Sequence, residues 1–177
     1  MIRSTFLLFL LLSIPVTLLA DVKFREDFRE NEAHIPIAND DLTSPFLSLQ
    51  RIGKSADKLK LSHHPEIKND PHYLWNGLTK GPVLIAFKFK NHLDLSAPNW
   101  TCRLRTKNVG ESRLHLAVEV QGQWYMQKDA ISNHPDWNIQ SISLSDSSWR
   151  TLSSKTAVPG KSTKAPDLRK VLSLIHI

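Results

Sequence analysis

Basic residues recur at alternating positions through the middle of this chain: Lys88, Lys90, Arg103, Arg105, Lys107, Arg113 and His115, with Glu119 in the same phase. Alternation of this kind puts side chains on one face of a strand. A row of arginines suits a carboxylate or sulfate ligand, because the planar guanidinium donates two parallel hydrogen bonds. Glu119 would orient an arginine or accept from a sugar hydroxyl. The same row also reads as a solvated sheet face whose charge blocks edge-to-edge pairing. Aromatic residues add a second capability, since Trp and Tyr stack on the apolar faces of sugar rings. Tyr73 and Trp75 follow a His- and Pro-rich loop, and Trp124 and Tyr125 follow Gly122. Trp100, Trp137 and Trp149 read as core. The candidate ligand-binding set is therefore Arg103, Arg105, Arg113, His115, Glu119, Tyr73, Trp75, Trp124 and Tyr125.

His63, His64, Asp70 and His72 are residue types that hold transition metals. Their spacing matches no standard zinc pattern, and neighbours in an extended segment point apart. A structural or sugar-contacting loop is the expectation, with no metal and no cofactor. Glu26, Asp27, Glu66 and Asp70 offer carboxylates for glycoside hydrolysis, as many soluble domains do. The sequence has no nucleophile elbow, no His-Glu-x-x-His, no phosphate loop and no dinucleotide fingerprint.

The elements that must carry these residues read as short strands. Val22–Phe28, Phe46–Arg51, Leu59–Leu61, Tyr73–Trp75, Val83–Lys90, Trp100–Lys107, Leu114–Val120, Trp124–Met126, Trp137–Leu144 and Trp149–Leu152 alternate apolar and polar residues. A short helical turn is expected at Asn39–Asp41, a tight turn at Gly122, and a loop over Lys155–Pro166. No segment has a sustained helical period. Many short strands with regular turn signals predict an all-β antiparallel sandwich or barrel.

Met1–Ala20 has the layout of a secretory signal peptide: a charged start, an apolar run and a small residue at its end. Cleavage after Ala20 is expected, giving a secreted or periplasmic protein that does not span the membrane. The formal net charge is +6, without dense Lys/Arg runs. Export makes nucleic acid an improbable partner and an acidic polysaccharide or cell-surface glycan a better one. The single cysteine, Cys102, has no internal partner, so stability must come from the core. The last six residues, Leu-Ser-Leu-Ile-His-Ile, end without a cap or polar tail and resemble a translated sequencing adapter. The expected organisation is a leader at 1–20, one β-sandwich over 21–171, and a non-native tail at 172–177 on a chain cut short at its C-terminus.

His92-Leu93-Asp94-Leu95-Ser96, the strand Trp100–Lys107, the strand Leu114–Val120 and Gln123-Trp124-Tyr125 together resemble the middle of galactose-binding-like jelly rolls. Trp75-Asn76-Gly77 is similar to the Trp-x-Gly step before their first long strand, and Pro166–Val171 to the link before their penultimate one. The likeness covers most of Val22–Val171 and lies nearest to secreted proteins of planctomycete type. It implies a jelly-roll fold shared with many bacterial carbohydrate-binding modules, and no activity. An exported, non-catalytic glycan-binding module is the leading expectation, with acidic polysaccharide as its ligand. The alternatives are a small lyase or hydrolase using Arg103, His115 and Tyr125, and an envelope domain with protein partners.

Overall fold

The computed structural model describes residues 24–98, 100–108, 112–145 and 148–176. The expected leader at 1–20, and residues 21–23, lie outside the described residues. The described chain is an all-β antiparallel sandwich with no α-helix and three short 3-10 turns, the first at Asn39–Asp41. No helix among the described residues is long and apolar enough to cross a membrane.

The strands are β1 (Leu47–Ile52), β2 (Lys60–Ser62), β3 (Tyr73–Trp75), β4 (Leu84–Leu93), β5 (Thr101–Asn108), β6 (Leu116–Val120), β7 (Gln123–Gln127), β8 (His134–Ser143), β9 (Trp149–Leu152), β10 (Pro159–Thr163) and β11 (Val171–His176). Seven of them form one sheet in the order β1-β4-β11-β6-β7-β9-β10, every pair antiparallel. The second layer consists of two separate ribbons, β2–β3 and β5–β8.

Alternation along the strands decides which face meets which layer. Leu47, Phe89, Leu116, Val118, Val120, Trp149 and Leu174 are buried in the main core, with Cys102, Leu104 and Ile142 of the β5–β8 ribbon packed against them. Ile85 of β4 and Val83 just ahead of it meet Ile37, Leu59 and Leu61, with Leu74 of β3 packed against that group. Both ribbons therefore cover one face of the large sheet, side by side. The reverse face has its own buried cluster: Ile52, Leu84, Ala86, Ala117, Trp124, Met126 and Leu152, joined by Ala157. Leu84, Ile85 and Ala86 are buried in succession, as expected where a strand is covered on both faces.

Most of the expected strands form within a residue or two of their sequence limits. The β6–β7 hairpin turns at Gln121 (φ 51°) and Gly122 (φ 78°). Two consecutive positive φ angles match the right-handed twist of the flanking strands. Two segments differ from expectation. Phe24–Phe28 is not a strand. The Glu26 carboxylate accepts from the backbone N–H groups of Phe28, Thr43 and Ser44 at 2.8, 2.8 and 3.0 Å. That side chain takes over the role a ladder would play, while Phe24 packs edge-on to Phe89 at 4.9 Å. Within the expected loop, Pro159–Thr163 forms the edge strand β10, exposed along its whole length. It carries no apolar alternation to announce it, and its leading proline is compatible with an edge. Val171–His176 pairs with β4 on one side and β6 on the other. A bulge between Val171 and Ser173 lets Val171 and Leu174 both reach the main core.

Leu116→Ala should cost about 2–5 kcal/mol, as deletions in a packed core do. Ile139, which is 55% exposed on β8, should lose less than about 0.5 kcal/mol on the same change. Urea unfolding of the two variants checks the assignment of core and outer face.

Candidate functional site

The two ribbons of the second layer meet along a seam, and the side chains there form a connected polar and aromatic cluster. On β3, Leu74 turns inward to the core, so Tyr73 and Trp75 stand on the outer face. On β5, Arg103, Arg105 and Lys107 are exposed and alternate with the inward Cys102, Leu104 and Thr106. Across the ribbon, Arg105 lies opposite Ile139 of β8. Arg105 also lies over the ring of Trp137, its guanidinium carbon 5.4 Å from the centroid. Trp137 in turn meets Tyr73 edge to face at 5.0 Å, which joins the two ribbons. At the far end, Lys60 lies 5.9 Å above Trp75. The indole of Trp75 lies so close over Gly77 that a Cβ there would sit 2.2 Å from a ring carbon. Any larger residue at 77 would push the indole away.

Asp70 ties this strip together. Its side chain is only 6% exposed. One carboxylate oxygen accepts from the His64 backbone N–H at 2.9 Å and lies 3.1 Å from His64 Nδ1. The other accepts from the Trp137 indole N–H at 3.3 Å, although the two residues are 67 positions apart. Burial by itself would raise the pKa of Asp70. The hydrogen bonds from His64 and Trp137 outweigh it and hold the carboxyl below its ordinary value. The Tyr73 hydroxyl lies 3.2 Å from His64 Nδ1. His63 Nδ1 is 4.0 Å from the same Asp70 oxygen, and the His63 ring stacks on His72 at 4.1 Å. Among the described residues no group of three or more His, Cys, Asp or Glu side chains is arranged to hold a metal ion.

Of the residues singled out in the sequence, Tyr73, Trp75 and Arg105 come together here, with Arg103 two residues along the same face of β5. The others do not join them. β5 belongs to a different layer from β4 and β6, so the basic row is not one continuous surface. Lys88 and Glu119 share a row on the reverse side of the large sheet, opposite Ser173, whose hydroxyl donates to Glu119 at 2.7 Å. His115 is half-buried, its Nδ1 3.1 Å from the Gln127 carbonyl oxygen. Arg113 is exposed just ahead of β6. Trp124 is buried in the reverse-face cluster, and Tyr125 packs against the main core. The turn after Gly122 therefore supplies no exposed aromatic platform, and Arg103, His115 and Tyr125 do not gather into a catalytic group.

Trp137, expected in the core, is the contributor that the sequence places elsewhere; Asp70 stands with the histidines of its own loop, as expected, and reaches across to Trp137. Trp137 is half-buried at the seam. Its one sequence signal was its phase: it alternates with Asn138 to share a face with exposed Ile139. No protein-family model matches the chain, and no curated protein or solved structure is significantly similar to it.

Two outcomes follow from these environments. Asp70 has a depressed folded-state pKa, so its contribution to stability is present above the unfolded value and lost as pH falls through about 4 and below. Asp70→Asn should flatten that acid-side decline in melting temperature, measured across the same pH range. Burial pushes the Cys102 thiol up to about 12. It should resist alkylation near neutral pH in the folded protein and react once the chain is unfolded in denaturant.

Proposed function

We propose that this is an exported carbohydrate-binding protein whose seam, Trp75, Tyr73 and Trp137 flanked by Lys60, Arg105 and Arg103, binds an acidic polysaccharide. The single observation that carries the reading is the line of aromatic rings across the ribbons with a cation over each end. Aromatic faces suit the apolar faces of sugar rings, and the flanking cations suit carboxylate or sulfate groups. The exposed Ile139 beside Arg105 extends the apolar part of the surface. The leader-like first twenty residues support a secreted or periplasmic location, where such polymers occur. The jelly-roll likeness of the middle of the chain, shared with bacterial carbohydrate-binding modules, supports the same reading.

Trp137→Ala should weaken binding of an acidic polysaccharide about tenfold, the equivalent of roughly 1.4 kcal/mol, from lost stacking and lost cation–π contact. Arg105→Ala should weaken it and lower its sensitivity to salt, because exposed charges are screened over about 8 Å at physiological ionic strength. Lys161→Ala, on edge strand β10 at the other end of the large sheet, should change neither. Affinity electrophoresis in gels containing a polyuronate or a sulfated galactan reads all three. Equal retardation of the native protein and the Trp137 variant would refute the assignment of the seam.

A further inference from the structure

The hydrogen-bond arrangement around His64 fixes more than its position. Its backbone N–H and its ring Nδ1 both face one oxygen of Asp70, at 2.9 and 3.1 Å. An ionised carboxylate only accepts hydrogen bonds. Nδ1 must therefore carry a proton, and that proton points at Asp70. The Tyr73 oxygen, 3.2 Å from the same nitrogen, can then only share that proton as an acceptor. Its own hydroxyl proton remains available to something else. Nε2 lies on the far side of the ring from Nδ1, and the His64 side chain is 46% exposed. The ring is thus held through one nitrogen, on a side chain that is nearly half exposed and stacks beside the Tyr73 ring at 6.1 Å.

Building on the glycan-binding reading, we propose that His64 Nε2 is an anion-contacting position of this surface, and that it binds only with uptake of a proton. In the neutral ring with Nδ1 protonated, Nε2 is an acceptor and repels a carboxylate or sulfate oxygen. In the imidazolium it becomes a charged donor to that oxygen. Imidazole is the side chain whose charge ordinarily changes between about pH 5 and pH 8. The charged and titratable groups around it are accounted for as follows. Asp70 and Tyr73 face Nδ1, His63 lies 4.0 Å from Asp70 and stacks on His72, and Arg105 reaches the seam across Trp137. Lys60 lies over Trp75, while exposed Glu66, Lys68 and Asp136 flank the cluster in sequence. Arg105 and Lys60 are cationic throughout this range, so they set a constant attraction. His64 adds one that varies with acidity. Affinity for an acidic glycan should rise as the medium acidifies, and affinity for a neutral one should not.

The test is isothermal titration of the native protein with two probes, a short oligogalacturonate bearing only carboxylates and a sulfated galactan oligosaccharide bearing only sulfates. Each is measured near pH 5.5 and near pH 8, in two buffers of different ionisation enthalpy. The expected result is about tenfold tighter binding at the lower pH, about one charge-assisted hydrogen bond's worth, with net proton uptake on binding. Tightening with one probe only would identify the anion the position reads. His64→Gln should bind either probe with the native protein's weaker, high-pH affinity at both pH values. His63→Gln and His72→Gln should keep the native pH response. Binding that is independent of pH, or a native-like pH response in His64→Gln, overturns the proposal while leaving the glycan-binding reading standing. No binding of either probe at either pH overturns both.

Discussion

Every part of this fold leans on strand β4. Its consecutive side chains reach three different buried clusters. Leu84 and Ala86 enter the reverse-face cluster, Ile85 the small cluster beneath the β2–β3 ribbon, and Phe89 the main core beneath the β5–β8 ribbon. Over Leu84–Ala86 this strand is covered on both faces and has no solvent side to tolerate a register error. A slip of one residue would exchange Lys88 with buried neighbours. Leu84–Phe89 pairs with β1 on one side, and Ile85–Lys88 and Leu93 pair with β11 on the other, so its register is transmitted to the middle of the sheet.

The division of the second layer into two ribbons follows from that arrangement and creates the seam. Neither two-stranded ribbon would be stable alone. Each is held by the apolar side chains it lays on the large sheet, Leu61 and Leu74 in one, Cys102, Leu104 and Ile142 in the other. Between them the chain places polar and aromatic side chains in place of a further apolar layer. A carboxylate as poorly exposed as that of Asp70 is costly unless hydrogen-bonded, and it receives bonds from both sides of the boundary. Trp137 from β8 and His64 from the loop before β3 both converge on it. One acidic side chain therefore links the ribbons and sets the geometry of the surface they share.

The same logic explains why the basic residues disperse. Arginines and lysines on exposed strand positions follow their strands. Because β5 crosses to the second layer while β4 and β6 stay in the first, charges that are close in sequence part in space. Arg105 reaches the seam, with Arg103 two residues along the same face, whereas Lys88 and Glu119 lie on the reverse side of the large sheet.

Alternation of apolar and polar residues was enough to determine the all-β class, the limits of most strands, the hairpin at Gln121–Gly122 and the burial of Leu116, Val118 and Trp149. Those features rest on local rules, since strand side chains alternate faces whatever the partner strand is. Alternation also put Tyr73 and Trp75 on one face of β3, and Arg103 and Arg105 on one face of β5. Pairing, however, is non-local. Which strand lies beside which was settled only when the layers packed, and with it the separation of β5 from β4 and β6, the insertion of β11 between β4 and β6, and the edge position of β10. Phe24–Phe28 left the strand class because Glu26 could reach the Phe28 amide and those of Thr43 and Ser44. Trp124 went into a buried cluster because its face of the sheet is covered. The seam itself depends on a hydrogen bond between Asp70 and Trp137 across 67 residues. No local pattern carries such a contact, because it exists only where two ribbons, each following its own alternation, come to rest on the same sheet.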